Sequence, residues 1–462
     1  MPSRPLKDRT WSWFISKILL PAGDRAFGQQ MMQRYHFLQQ AQWWDPQRVQ
    51  AYRDEALAKL IRTSYAEVPF YRQQMEAAGV KPDDIRTAAD LVKLPVVNKT
   101  MLRSGYPDQT TRDTGQKVYE ACTSGSTGKN FCIKEDAWTA GWYRASFLLC
   151  LDWADWTFGE PHLQTGITLN RSIDRRIKDR LLRCHYVPAF DLHDDRLDEN
   201  LEQIDRYKID HVWGYPSSLY YLARRAKTRG WNRPLRSVIT WGDMVYPRYR
   251  EMIESTFGTQ VRDTYGCCEG MHIAAQCGHD NQYHIHSLDV IVEYLDADNN
   301  PVDANQTGDV IVTRLHPGPM PLIRYRIGDR ATRSDGQPCR CGRGFELMRG
   351  IQGRDTDCVV TPTGNRLIVH FFTGVLEHFQ EVDSFQVVQN ERDSVQIRIV
   401  PRQGFSRETE QHIASTLAER GAKDLRIDVE TVTEIPLTPA GKRRFVINNL
   451  DRPSNSIADE GT

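Results

Sequence analysis

Apolar and polar positions alternate with different periods along the chain, and the change of period divides it. Asp45-Pro46 predicts a helix start, with Asp45 as N-cap and Pro46 in the first turn. Leu57, Leu60 and Ile61 then recur at helical spacing, and Pro69 ends the run. Short helices and a turn at Leu94-Pro95-Val96 follow. From about residue 145 to 320, apolar runs mix with helical stretches, as in an α/β body. Residues 209–213, 237–240 and 290–294 read as strands, and 217–226 and 248–257 as helices. Near the end, Phe385 and Val387, then Val395, Ile397 and Ile399, alternate with period two around a polar turn at 390–393, which predicts a hairpin. Ser406 caps a helix carrying Ile413, Ala414, Leu417 and Ala418 on one face, with Gly421 beyond it. Ile427 and Val429 continue as a strand. This ββαβ pattern predicts a small separate domain starting near 355, and no internal repeat is visible.

The 462 residues suit two or three domains. Sixty basic residues balance sixty acidic ones, so no global charge points to nucleic acid or an anionic membrane, although local basic patches remain open. The apolar run from Trp11 to Ala22, interrupted by Ser12, Ser16 and Lys17, is too short to span a bilayer and lacks a cleavage signal. It predicts an amphipathic helix packed on the body, with peripheral membrane contact as the lesser reading. Ten scattered cysteines without a secretory signal predict a cytoplasmic protein without a disulfide framework.

Candidate chemistry centres on Thr123-Ser124-Gly125-Ser126-Thr127-Gly128-Lys129. Its glycines let backbone N–H groups approach an anion, and its hydroxyls and ammonium add donors, so it reads as a phosphate loop. The spacing is neither that of a Walker A loop nor that of a Gly-x-Ser-x-Gly elbow.

Four further segments accompany it: Tyr265-Gly266-Cys267-Cys268-Glu269, Arg324-Tyr325-Arg326-Ile327-Gly328-Asp329, Gly353-Arg354-Asp355-Thr356-Asp357 and Pro436-Leu437-Thr438-Pro439-Ala440-Gly441-Lys442. Together, in this order, the five resemble the motifs of the adenylate-forming (AMP-binding) superfamily of acyl-CoA synthetases, peptide-synthetase adenylation domains and luciferases. Val68–Arg72, Leu94-Pro95-Val96, Trp213–Ser218 and Lys442–Ile447 resemble its phenylacetate–CoA ligase and CapK-like branch.

The resemblance implies an α/β fold: a large N-terminal adenylate-forming domain of mixed sheets and helices over residues 1–354, with a mainly helical lead-in over 1–110. A small mobile α+β C-terminal domain over 355–450 and a disordered tail over 451–462 follow. It implies an ATP-dependent ligase in which a carboxylate attacks the α-phosphate, giving an acyl-adenylate and pyrophosphate, after which a thiol, expected to be that of coenzyme A, displaces AMP. Thr123–Lys129 would hold the ATP phosphates and Glu269 a Mg²⁺ ion. Tyr265 and Gly266 would lie against adenine, Asp329 on the ribose hydroxyls and Arg354 on ribose or phosphate. Asp355 and Thr356 would form the hinge, and Lys442 would bridge carboxylate and α-phosphate. The acid would lie between Tyr215-Pro216, Trp241-Gly242 and the Tyr265 segment, whose aromatic walls suit an aryl or arylacetic acid. Two departures stand out. Cys267-Cys268 replaces the family's small or hydroxylated pair, and Thr356 stands where many relatives have a hinge aspartate.

Cys277, His284, Cys339 and Cys341 offer the ligand set of a structural zinc, which some members of the branch carry, with His279 rivalling His284. Three competing readings remain: an adenylate-forming amide or ester ligase, a zinc-stapled binding protein without catalysis, and a nucleophilic site made by Cys268 and His272. The sequence leaves a homodimer open.

Overall fold

The computed structural model describes residues 6–123, 131–166, 171–189, 192–354, 358–363, 366–376, 378–436 and 444–450. The chain divides into two compact units, residues 1–327 with 331–351, and residues 328–330 with 352–462. The first unit begins with helices α1 (Leu6–Phe14), α2 (Leu20–Phe27), α3 (Met31–Ala41), α4 (Pro46–Glu67), α5 (Pro69–Ala77) and α6 (Lys99–Ser104), with one π-helical turn at Ile15–Leu19. The Asp45 carboxylate accepts the Arg48 N–H at 2.9 Å and starts α4. Leu57, Leu60 and Ile61 are fully buried beneath it. Val68 is extended, as a residue before proline must be, so Pro69 both ends α4 and opens α5.

Strands β1 (Val118–Thr123) and β2 (Phe131–Asp136) form an antiparallel pair whose register runs from Val118 with Asp136 to Thr123 with Phe131. Helix α7 (Ala137–Trp153) starts at a buried capping box in which Asp136 and Thr139 bind each other's backbone N–H. The chain then alternates β3 (His162–Gly166), α8 (Ile173–Leu181), β4 (Cys184–Pro188), α9 (Asp194–Arg206), β5 (His211–Gly214), α10 (Pro216–Thr228), β6 (Ser237–Thr240), α11 (Pro247–Phe257) and β7 (Val261–Cys267). These strands are parallel, and the central β5 and β6 are buried throughout, which matches helices on both faces. Six strands follow: β8 (Met271–Gln276), β9 (Tyr283–Ile285), β10 (Val290–Leu295), β11 (Thr307–Arg314), β12 (Tyr325–Arg333) and β13 (Leu347–Arg354). They extend the sheet to eleven strands in the order β10-β11-β12-β13-β9-β8-β7-β6-β5-β3-β4, with antiparallel pairing at β7–β8, β8–β9, β9–β13 and β10–β11.

The second unit holds a pair, β14 (Cys358–Val360) and β15 (Arg366–Ile368), then α12 (Val369–Leu376), β16 (Val382–Glu391), β17 (Ser394–Pro401), α13 (Arg407–Leu417), β18 (Arg426–Thr431) and β19 (Val446–Asn448). Its sheet has the order β18-β17-β16-β19, antiparallel only at the β16–β17 hairpin. The alternation in the sequence puts Phe385, Val387, Val395, Ile397 and Ile399 inside, and Ile413 and Leu417 of α13 are buried as well. Ser406 caps α13 in a capping box with Thr409. Strand β19 is the member the alternation did not reveal: three residues are too few to show a period.

Among the described residues eight cysteines are free thiols. Cys132 is disulfide-bonded. No helix among the described residues is long and apolar enough to cross a membrane.

Candidate active site and metal centre

The parallel strands run the same way, so their carboxyl ends share one edge of the sheet. In open α/β sheets that edge holds the ligand crevice, at the point where strand order reverses. Here the reversal lies between β3 and β5, and the Tyr215 N–H donates to Thr165 Oγ1 across it at 3.1 Å. Tyr215-Pro216 follows β5, Trp241-Gly242 follows β6, and Cys268-Glu269 follows β7. The sheet therefore gathers at one edge three segments that the sequence keeps apart. Gly242 has φ +77°, and a side chain there would press on the Tyr215 ring at 2.8 Å, so glycine lets the two segments meet. Phe147 of α7 meets Trp241 edge-on at 5.7 Å and His272 at 5.6 Å, adding aromatic wall to the same region.

Glu269 sits in the tight β7–β8 turn and its side chain is only 2% exposed. It accepts hydrogen bonds from the buried Tyr325 hydroxyl at 2.9 Å and pairs with the Lys99 ammonium at 3.0 Å. Burial pushes this carboxyl up. The Lys99 charge and the hydrogen bonds from Lys99 and Tyr325 outweigh burial and hold it below the usual carboxylate range. Lys99 was not among the residues read from the sequence, and its position has a local cause. The Val97 N–H bonds Arg324 O at 2.9 Å and the Arg326 N–H bonds Val97 O at 2.8 Å, so the segment after Leu94 runs beside β12. Asn98 then caps α6 and turns Lys99 toward Glu269. The ring of Phe131, the first described residue after the glycine-rich segment, stacks on Tyr325 at 6.2 Å. The flank of that segment thus lies beside the Glu269 pair.

Gly270 completes the turn at φ +74°, where a Cβ would fall 1.9 Å from the Glu135 carboxylate. Gly270→Ala is therefore expected to destabilise the protein by at least about 1 kcal/mol, read as a lowered thermal midpoint. Tyr265 is buried in β7, and a bulge separates it from Gly266. Asp329 lies in β12, partly exposed. Arg354 ends β13. Ser124 to Lys129, Asp355, Thr356 and Lys442 lie outside the described residues, and Thr123 is described only as the end of β1.

The first unit also holds two histidine–cysteine groups. Cys277, His284, Cys339 and Cys341 place their ligand atoms within 4.8 Å of one another. Sγ of Cys277 is 3.7 Å from Sγ of Cys339, and Sγ of Cys341 is 3.2 Å from Nε2 of His284. Tetrahedral zinc bonds of about 2.3 Å to sulfur and about 2.0–2.1 Å to nitrogen give S–S edges of about 3.8 Å and S–N edges of about 3.6 Å, so the donor set and spacing fit the ion. The His279 side chain is exposed and stands outside this group. Burial opposes ionisation of the Cys341 thiol, but its hydrogen bond to His284 and the imidazole's charge bring it down to about 5. Burial opposes protonation of His284, but Cys277 and Cys341 raise it to about 9. The second group, Cys150, His272 and His286, is fully inside. His272 Nδ1 meets His286 Nε2 at 3.0 Å, and burial lowers the His272 pKa to about 3. His272 is thus committed inward while Cys268 is exposed, which removes the support for pairing them as nucleophile and base.

The comparisons agree with this architecture. Residues 359–449 match the CapK C-terminal domain. The chain is 23% identical over 431 residues to the phenylacetate–coenzyme A ligase of Thermus thermophilus, covering 86% of this chain and 94% of that one. It is 21% identical over 385 residues to protein CapK of Staphylococcus aureus, covering 79% and 81%. A solved 2-hydroxyisobutyryl-CoA ligase in its postadenylation state superposes with a TM-score of 0.69 at 19% identity, covering 86% and 88%. Over most of its length the chain is thus similar to phenylacetate–coenzyme A ligases and to CapK, and its residues 359–449 match the CapK C-terminal domain. In this chain the Cys267-Cys268 pair precedes a glutamate whose partners are Lys99 and Tyr325.

Proposed function

We propose that this protein is an ATP-dependent carboxylate-activating ligase that forms an acyl-adenylate and passes the acyl group to coenzyme A. The observation that carries the reading is Glu269. A buried carboxylate is kept ionised at the carboxyl edge of a parallel sheet, beside the strand end that follows the glycine-rich segment. Joining a carboxylate to a triphosphate requires cations and oriented donors to offset their repulsion, and in-line alignment. Glu269 would hold Mg²⁺, which supplies charge neutralisation at the phosphates. Thr123–Lys129 would cradle the phosphates, Tyr265-Gly266 would border adenine, Asp329 and Arg354 would hold ribose, and Asp355-Thr356 would serve as hinge. The aromatic surroundings of Tyr215, Trp241 and Phe147 support an aryl or arylacetic acid. Cys277, His284, Cys339 and Cys341 would hold zinc with no open position, which makes that ion structural.

ATP–pyrophosphate exchange over a panel of aryl, arylacetic and aliphatic acids tests the reading. Acid-dependent exchange is expected, strongest with an aryl or arylacetic acid, and AMP release should then require coenzyme A. Exchange without coenzyme A-dependent turnover, but with trapping by hydroxylamine, would reassign the acceptor to an amine or alcohol. Lys442→Ala is expected to lower exchange by about 10²–10³-fold while leaving thioester formation from supplied acyl-adenylate nearly intact. Equal loss in both half-reactions would reject the assigned role.

A further inference from the structure

Twelve large hydrophobic side chains are exposed among the described residues, and six of them fall on two neighbouring helical segments. Trp13, Phe14, Ile18 and Phe27 lie on the N-terminal helices, at 59%, 37%, 46% and 71% exposure, and Ile173 and Ile177 lie on α8 at 75% and 56%. Neither α2 nor α8 buries a single side chain. Helices of such short length are normally held by an apolar face packed on a core. Here part of that face points outward. The two segments are joined: Trp11 Nε1 donates to Leu181 O at 3.2 Å, and the Arg183 guanidinium lies 5.9 Å from the Trp11 ring centre. Ile173, Ile177 and Leu181 follow one another at four-residue spacing, so a single stripe leads from the exposed end of α8 to this contact.

Charge chooses the occupant. The whole chain has no net charge, yet residues 1–28 carry five basic and two acidic side chains, and residues 171–183 carry six and two. Lys17, Arg25, Arg175, Arg176, Lys178 and Arg180 are exposed around the apolar side chains. A symmetric contact between two copies would set this cationic surface against itself. A bilayer with anionic headgroups instead takes both features, apolar side chains at the acyl boundary and basic ones at the phosphates. We propose that α1, α2 and α8 form a membrane-docking surface that seats the protein on anionic lipid. The inference is independent of the chemistry proposed above.

Co-sedimentation of the purified full chain with vesicles tests it. Binding to equimolar phosphatidylcholine–phosphatidylglycerol vesicles is expected to exceed binding to phosphatidylcholine alone by more than about tenfold. Most of it should be lost at about 1 M salt, where the Debye length is about 3 Å. Trp13→Glu with Phe27→Glu, Ile173→Asp with Ile177→Asp, and Lys17→Glu with Arg176→Glu should each reduce partitioning by about tenfold or more, with unchanged thermal midpoints since all six side chains are exposed. No binding to the anionic vesicles, equal binding to both compositions, or indifference to all three double substitutions would overturn the proposal. So would a solution dimer that the Trp13 and Ile173 pairs dissociate, which would make the face a self-interface.

Discussion

Glu269→Ala is expected to lower acid-dependent ATP–pyrophosphate exchange by about 10²–10³-fold, the loss typical of removing one group that stabilises developing charge. The alanine variant also leaves the Tyr325 hydroxyl, in a fully buried residue, without its acceptor, at a cost of about 1–3 kcal/mol in stability. The two effects separate in Glu269→Gln. The amide still accepts from Tyr325, so most of the stability should return, but it gives up the charge and should remain as poor in exchange as alanine. Recovery of exchange in the glutamine variant would show that Glu269 anchors the turn and nothing more. A pH series adds a second readout. The folded-state pKa of Glu269 lies below the ordinary carboxylate value, so its contribution to stability is present above that range and lost as pH falls through it. Glu269→Gln should therefore lower stability mainly at neutral pH, where the ionised carboxylate contributes, and converge on the unaltered protein as pH falls, which flattens the acid limb of the profile.

Much of the architecture was legible in the sequence because its causes are local. Asp45-Pro46 specifies a helix start by capping, Ser406 does the same, and the alternation around 390–393 specifies a hairpin through the requirement that one face be buried. The strand at Ser237–Thr240 was visible because the β-branched Val238, Ile239 and Thr240 form a short run. The partners of Glu269 were not legible. Lys99 reaches it because residues 94–97 lie against β12, more than two hundred positions away, and nothing in the periodicity of either segment announces that pairing. The Cys150, His272 and His286 group was hidden for the same reason: three isolated residues from α7, β8 and the end of β9 meet only after the sheet forms. The Cys277, His284, Cys339 and Cys341 group was visible because two of its ligands form a Cys-x-Cys pair and the other two are close in sequence. The choice between His279 and His284 had to wait for β9, whose pairing with β13 turns His284 inward.

Cys339→Ser is expected to remove bound zinc and to destabilise the protein by at least about 3 kcal/mol, lowering the thermal midpoint by about 5–10 °C. The segment that carries Cys277 leaves the end of β8, and the one that carries Cys339 and Cys341 precedes β13, so a zinc held by the four residues would tie together two stretches that no strand pairing among the described residues joins directly. Two buried thiols stand 3.7 Å apart and a third lies 3.2 Å from His284 Nε2, a set of donors that a central cation would hold together. One zinc per chain by metal analysis, and a matching fall in midpoint on chelation, are the corresponding results for the unaltered protein. Cys184→Ser, at a partly exposed position outside both groups, serves as the control and should leave metal content and midpoint unchanged. A protein that contains no zinc and melts at the same temperature with and without chelator would show instead that the Cys341 thiolate and the His284 imidazolium hold the cluster as an ion pair. Four protein ligands leave no coordination position for substrate, so metal loss should act on the folded fraction. At a temperature where the chelated protein remains folded, kcat for the exchange reaction should be nearly that of the zinc form, and a collapse of kcat there would place the ion in the chemistry.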